Sequence, residues 1–215
     1  MGLVKKDIGA SMKHGVLGGT FDPIHNGHLT IAEEVRQRLG LGEVILVPTG
    51  RPWMRVSPPL AAAAHRVQMV RLAISGRPGY RLSTLEIERA GPSYAVDTII
   101  ELRKQLGSGD EVFFILGWDS LAELPRWHEP SRLVAMCSIV VVPRPGYPRP
   151  RLKSLDTLVP GLAKRAILLD APHVDISASE VRERVSQGLS ISHLVPEAVA
   201  NYIGEHGLYA SRDKV

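Results

Sequence analysis

Short unbroken apolar runs recur along this chain, each followed by a stretch of helical periodicity, and that alternation restricts the fold more than any other feature. Residues 44–47 (VILV) and 139–142 (IVVV) are apolar at every position. A strand with one face in water alternates apolar and polar residues, so an unbroken run needs burial on both faces. Leu29, Ala32, Val35 and Leu39 fall on one face of a helix that Gly40 stops. The same patterns place strands in HGVLGGT, EVILVPT (43–49), YRLSTLEIER, EVFFILGWDS, LVAMCSIVVVPRPG and RAILLDAP. Helices fall in HLTIAEEVRQRLG, AAAAHRVQMVRLAIS, SYAVDTIIELRKQLG (opened by Ser93), SASEVRERVSQG and PEAVANYIGEHGLY. Strands alternating with helices define an α/β fold with a parallel sheet covered on both faces. PRPGYPRPRLKS (143–154) reads as a flexible surface loop.

The chain has 215 residues, 44% of them hydrophobic, which suits one compact domain over residues 13–210. Residues 177–210 form its helical C-terminal portion and residues 1–12 an N-terminal extension, with Met12 an alternative start to Met1. A formal net charge of +4 fits an enzyme that handles polyanions and is too small and scattered for nucleic-acid binding. The single cysteine, Cys137, sits in an apolar stretch and reads as a buried inert thiol. No segment reaches the roughly 18 apolar residues of a membrane span, and the first residues lack the apolar core of a secretory signal. These features together predict a cytoplasmic protein without a membrane partner; either a monomer or a homodimer is expected.

Four stretches lie just beyond strand ends: 18–28, 48–55, 117–120 and 177–182. Ligands of open α/β sheets bind outside the carboxyl ends of the strands, so these stretches are expected to meet in one site. The first, GGTFDPIHNGHL (18–29), is a strand, a glycine turn and a helix N-terminus, whose unpaired N–H groups favour an anion. It lacks the lysine of a P-loop and the spacing of a dinucleotide fingerprint. Gly18 and Gly19 let backbone approach a ligand, and Gly27 leaves room above the helix end. His25 and His28, three apart, share one face of the first turn. A zinc site would need a third ligand, and no Cys/His cluster with metal spacing is present, so no protein-bound metal is expected. SASEVR is a second candidate phosphate arm or, on spacing alone, a capped helix start with a surface arginine.

GTFDPIHNGH resembles the T/H-x-G-H signature of the HIGH-motif nucleotidyltransferase superfamily. Six further blocks follow in order: PSYAVDT, FFILGWDS, LPRWHE, VVVPRPGY, ISASEVRERV and LVPEAVANYIGEHGLY. With them, nearly the whole chain is similar to bacterial nicotinate-nucleotide adenylyltransferases. The resemblance implies a Rossmann-like doubly wound parallel sheet with a small C-terminal helical part. It implies transfer of AMP from ATP to nicotinate mononucleotide, giving deamido-NAD and pyrophosphate in NAD biosynthesis. A related transferase acting on another phosphorylated acceptor, such as phosphopantetheine, and an inactive nucleotide-binding module are the alternatives.

Carried over residue by residue, the resemblance puts His25, His28 and Arg182 in catalysis. Gly18, Gly19, Thr20, Gly117, Asp119, Ile176 and Ser177 join those three in binding ATP, with Ser179 mainly a helix cap. Gly117 and Asp119 would take the adenosine ribose. Trp127 would stack on the pyridine ring, and the backbone N–H groups of Ala95 and His128 would hold its carboxylate. Mg²⁺ is implied as the ion arriving with ATP; Asp22 either reaches it through water or serves the Asp-Pro turn. Two departures stand out: Ala95 where the family often has threonine, and RPWMR where it often has Pro-Pro-His-Lys or Pro-Pro-His-Arg. In the second, Arg55 is the candidate acceptor-binding cation and Trp53 has no assigned role. His65 and Arg66 resemble a family pair expected to be structural.

Overall fold

The structure is a computed structural model and describes residues 11–54, 61–172 and 174–211. In chain order the first half runs β1 (Lys13–Gly19), α1 (Asn26–Leu39), β2 (Glu43–Pro48), α2 (Ala63–Ile74), β3 (Tyr80–Leu82), α3 (Leu85–Glu88) and α4 (Ala95–Gln105). The second half runs β4 (Glu111–Gly117), α5 (Trp118–Glu123), α6 (Pro130–Met136), β5 (Ser138–Val142), α7 (Leu152–Leu158), α8 (Leu162–Arg165), β6 (Ala166–Leu168), α9 (Ala178–Ser186) and α10 (Glu197–Glu205). The strands form one sheet in the order β3-β2-β1-β4-β5-β6, every neighbouring pair parallel.

The unbroken apolar runs have a direct explanation in this sheet. Successive side chains along a strand point to opposite faces. Leu17, Val44, Leu46, Val140 and Val142 feed one core cluster, which also takes Leu29 and Val35 of α1, Met69 of α2, Val181 of α9 and Val199 of α10. Val16, Ile45, Val47, Ile139 and Val141 feed the other, with Ile99 of α4 and Leu133 of α6. Both faces are covered, which is why these runs are apolar at every position; the buried polar side chain in β1, His14, is paired with Glu43 and Asp110 at 2.9 and 3.1 Å. α9 and α10 pack into the same cluster as α1 and α2. Cys137 is buried in the second cluster, where desolvation pushes its thiol up to about 12 and leaves it unreactive.

The strand order reverses at β1, with β2 on one side and β4 on the other. A doubly wound sheet opens a crevice at that switch point, above the carboxyl ends of the strands. Gly19 ends β1 and Gly117 ends β4, so the two glycine-bearing turns flank it.

Two local expectations change. Ser93 does not open α4; Tyr94 is its cap residue. The Ser93 hydroxyl oxygen instead accepts from the backbone N–H groups of Gly50 and Arg51, at 3.1 and 3.0 Å. The segment read as a loose surface loop, 143–154, gives its last residues to α7, and its first ones line the cleft described next.

Candidate active site

A cleft of about 670 Å³ lies over the crevice between β1 and β4, a volume in the range of small-molecule sites. Its floor is the turn from β1 into α1. His25 is the N-cap of α1 and His28 its third residue. The His25 backbone N–H donates to His28 Nδ1 at 3.3 Å, and the two rings stack with centroids 3.7 Å apart. Because Nδ1 of His28 accepts, a neutral His28 ring carries its proton on Nε2 and is a donor there. The Phe21 ring meets His28 edge-on at 5.0 Å. Phe21 is itself buried in the left-handed region, φ 49°, a conformation that cleft turns retain at some energetic cost.

Both imidazoles are held neutral. Burial, and then the Arg144 guanidinium, lowers His25 from 6.5 to about 4. His28 lies well below the ordinary histidine range because of burial, its neighbour His25 and Arg144. A neutral pair of this kind offers N–H donors, with weak basicity and no fixed positive charge.

Gly27 does not leave open room above the helix end. A Cβ there would lie 2.7 Å from Val174 Cγ1 and 2.9 Å from His25 Nδ1. The glycine lets the segment before α9 close down onto α1 and lets the His25 ring lie flat. At Gly18, by contrast, a Cβ would meet nothing within 4 Å, and Gly18, Gly19 and Thr20 all line the cleft.

The turn is held from beneath and from the C-terminal side. Arg66, 1% exposed, donates from Nη1 to the Thr20 carbonyl at 2.6 Å and from Nε to the Ala61 carbonyl at 3.3 Å. Its partner His65 bonds the Tyr202 hydroxyl at 2.9 Å, so both residues of the pair serve the fold. The buried Asp22 carboxylate accepts from the Tyr209 hydroxyl at 2.7 Å and from the Ala61 N–H at 3.2 Å, which ties the turn to both segments, and Asp22 also lines the cleft. The Asn26 N–H and side-chain amide donate to the carbonyls of Leu194 and His193, at 2.8 and 3.1 Å.

Arg182 enters from α9. Its Nη1 donates to the Asp22 carbonyl at 2.7 Å and its Nη2 to Ser179 Oγ at 3.1 Å. The cap falls on Ser177 and not on Ser179: Ser177 accepts from the Glu180 N–H at 3.1 Å, while Ser179 Oγ accepts from Arg182. Gly117 is the N-cap of α5, and a Cβ on it would collide with Oδ1 of Asp119, so the glycine lets that carboxylate fold back beside it.

Of the residues singled out in the sequence, Gly18, Gly19, Thr20, His25, His28, Gly117, Asp119, Ala95, Trp127 and Arg182 line this one cleft. Ile176, Ser177 and His128 are not on its wall. Arg55 lies outside the described residues. As the first residue of α4, Ala95 has no intrahelical acceptor for its N–H. Trp127 is half-buried, its ring edge-on to Phe114 at 6.2 Å. Residues that sequence reasoning missed also line the cleft, Arg144, Tyr147 and Trp53 among them. Arg144 was findable: it follows the end of β5 by two residues, the same position relative to a strand that singled out the other stretches. Among the described residues, no group of three His, Cys, Asp or Glu could hold a metal ion. No described helix is long and apolar enough to cross a membrane.

A parallel sheet with this order, and a donor-rich cleft at its switch point, define the doubly wound nucleotide-handling class. Comparison with known proteins narrows the class. A family model described as cytidylyltransferase-like matches residues 16–184. A probable nicotinate-nucleotide adenylyltransferase of Dehalococcoides mccartyi is 52% identical over 93% of this chain and 98% of its own length. One from Thermomicrobium roseum is 41% identical over 91% of this chain and 90% of its own length. Among solved structures, a Plasmodium falciparum nicotinic acid mononucleotide adenylyltransferase complexed with NaAD superposes with a TM-score of 0.73 at 20% identity, covering 92% of this chain and 97% of that one. The chain belongs to the cytidylyltransferase-like family and, within it, to the bacterial nicotinate-nucleotide adenylyltransferases.

Proposed function

We propose that the cleft joins ATP to nicotinate mononucleotide, releasing pyrophosphate and forming deamido-NAD, as a cytoplasmic step of NAD biosynthesis carried by residues 13–210. The observation that carries this reading is the stacked, neutral His25–His28 pair at the N-terminus of α1, with Arg182 tied to the same turn. The 5′-phosphate of the mononucleotide has its second pKa near about 6, so its oxygen is already anionic at neutral pH. That oxygen attacks the α-phosphorus of ATP in line, and the bond to the bridging oxygen of the β-phosphate breaks. No general base is required. The protein brings two anions together and stabilises the charge on the α-phosphate.

His28 Nε2 is the donor to the α-phosphate, with His25 beside it. Gly18, Gly19 and Thr20 supply backbone approach, and Arg182 takes the β- and γ-phosphates with its planar fork. Asp119 accepts from the ribose hydroxyls. Arg144, which already faces the two imidazoles electrostatically, belongs with the ATP side of the cleft. Mg²⁺ would enter on the ATP phosphates and screen their charge, since no protein carboxylate cage exists among the described residues.

On the acceptor side, Trp127 stacks on the pyridine ring and the Ala95 N–H holds its carboxylate, joined by the backbone N–H of His128, whose side chain is off the wall but which directly follows the cleft-lining Trp127. Two fixed donors suit a carboxylate and oppose the NH₂ of a carboxamide, which would face a donor unpaired. Pyrophosphate release should therefore be measured with ATP and nicotinate mononucleotide, nicotinamide mononucleotide or phosphopantetheine. Turnover with the first at an efficiency at least about tenfold above the second is expected, one misplaced polar contact accounting for that much. Equal efficiency on both pyridine nucleotides rejects the two-donor account, and turnover only with phosphopantetheine rejects the acceptor.

A further inference from the structure

Trp53 occupies the loop after β2, where this chain departs from the histidine-bearing pattern of its family. Among the described residues it is one of the few large apolar side chains left well exposed, at 39%, yet it lines the cleft together with Ala95 and Trp127. Its ring meets Tyr94 edge-to-face at 5.4 Å and 70°. Tyr94 in turn stacks on His128 at 4.1 Å and 25°. One aromatic row thus runs from the β2 loop, through the residue before Ala95, to the residue after Trp127.

The start of the loop that carries Trp53 is fixed in place. Ser93 Oγ accepts from the N–H groups of Gly50 and Arg51, and the Ser93 N–H donates to the Arg51 carbonyl at 2.9 Å. Gly50 packs so closely on α3 that a Cβ would collide with the Glu86 carbonyl. The same serine therefore ties the Trp53 loop to the segment that delivers the Ala95 N–H. An aromatic ring exposed in a cleft presents apolar surface that a flat ligand ring would cover favourably.

We infer that Trp53 is a specificity-determining residue of the acceptor subsite, giving the pyridine ring of the acceptor a second aromatic wall besides Trp127. This rests on the acceptor proposed above. An aromatic wall selects a flat ring and does not distinguish a carboxylate from a carboxamide. The residue should therefore govern acceptor affinity in general and leave the choice between the two pyridine nucleotides to the backbone donors.

The test compares wild type, W53A and W53F by pyrophosphate release, varying ATP and each mononucleotide in turn. W53A should raise KM for nicotinate mononucleotide by about 5- to 100-fold, the range for losing a ring stacked on a base. KM for ATP and kcat should stay within about threefold. The loss in kcat/KM should be equal for the nicotinate and nicotinamide nucleotides, and W53F should recover most of it. Should W53A be unstable, W53F decides: nicotinate mononucleotide should quench tryptophan fluorescence less in W53F than in wild type, while quenching by ATP is unchanged. An unchanged KM in W53A, equal rises for ATP and acceptor, or identical quenching in W53F overturns the role of Trp53. A changed ratio between the two pyridine nucleotides overturns the ring-wall account. Failure of the wild type to use nicotinate mononucleotide at all removes the underlying acceptor assignment instead, and with it this inference.

Discussion

Acidification from pH 7.5 to 5 should reveal whether the histidine pair is neutral in the folded protein. His25 is 4% exposed, and burial with Arg144 nearby lowers its pKa from 6.5 to about 4. A group with a depressed folded pKa binds fewer protons folded than unfolded between the two values. Its contribution to stability is complete above pH 6.5 and is lost as pH falls towards 4. Linkage with those two values gives a loss of about 2 kcal/mol between pH 7.5 and 5 from His25 alone. His28, depressed by burial, by His25 and by Arg144, acts in the same direction. Glu86 acts against it: burial raises its carboxyl, so its contribution is present at low pH and fades as pH rises through its folded value. Glu33, lowered to about 2 by Arg36 and Tyr80, titrates below the window.

The quantity to measure is therefore a difference. Urea unfolding of wild type and H25N across this window cancels Glu86, which both proteins share. The wild-type profile should fall at least about 2 kcal/mol further than that of H25N as pH drops to 5, since the substitution also removes the lowering effect of His25 on His28. Profiles parallel to within about 0.5 kcal/mol, the uncertainty of the extrapolation, would refute the reasoning. The imidazole would then titrate as freely in the folded protein as in the unfolded chain, and the account of a neutral donor pair would fail with it.

His28→Ala should lower kcat by about 10²- to 10³-fold, the effect of removing one transition-state donor, without loss of the folded state by circular dichroism. A variant within tenfold of wild type removes His28 from the chemistry. Gly27→Ala tests the packing of the turn. Alanine favours a helix by about 1 kcal/mol over glycine, yet here its methyl would meet the stiff Val174 side chain at 2.7 Å and His25 at 2.9 Å. Overpacking should win, with a net loss of about 1–2 kcal/mol in urea unfolding and a lower kcat as the His25 ring is displaced. A stabilised, fully active G27A would show that the close approach has no role.

The sheet and the first turn were legible in the sequence because their signals are local. Unbroken runs at 44–47 and 139–142 required two dry faces, and both cores draw on them. Three of the four stretches do lie just past strand ends, and most of their described residues share the cleft; 177–182 follows β6, which ends at Leu168, only at a distance and reaches the cleft through Ala178 and Arg182. Failures came where a long-range partner outbid a local pattern. Ser93 sits where a helix cap is expected, but its oxygen is taken by N–H groups 42 and 43 residues away. Ser177 and Ser179 are both suitable caps by spacing; only the position of Arg182, reaching Asp22 across 160 residues, decides between them. Arg144 was hidden by the proline- and glycine-rich composition around it, which reads as loose loop wherever it occurs.

These contacts also explain why the C-terminal helices are part of the turn between β1 and α1. A P-loop wraps its anion with one contiguous segment. Here residues 20–26 are braced from several sides at once. Arg66 holds the Thr20 carbonyl from α2, and Tyr209 and Arg182 hold the side chain and carbonyl of Asp22. His193 and Leu194 hold Asn26. Remove the C-terminal segment and Asp22 loses its phenol partner while Asn26 loses both acceptors. His25 and His28, one residue either side of the braced pair Asn26–Gly27, would then lose the packing that buries them, and burial is the first cause of their lowered pKa values. The donor geometry at one end of the chain is therefore a property of packing at the other, which is why a single short motif does not suffice to build it.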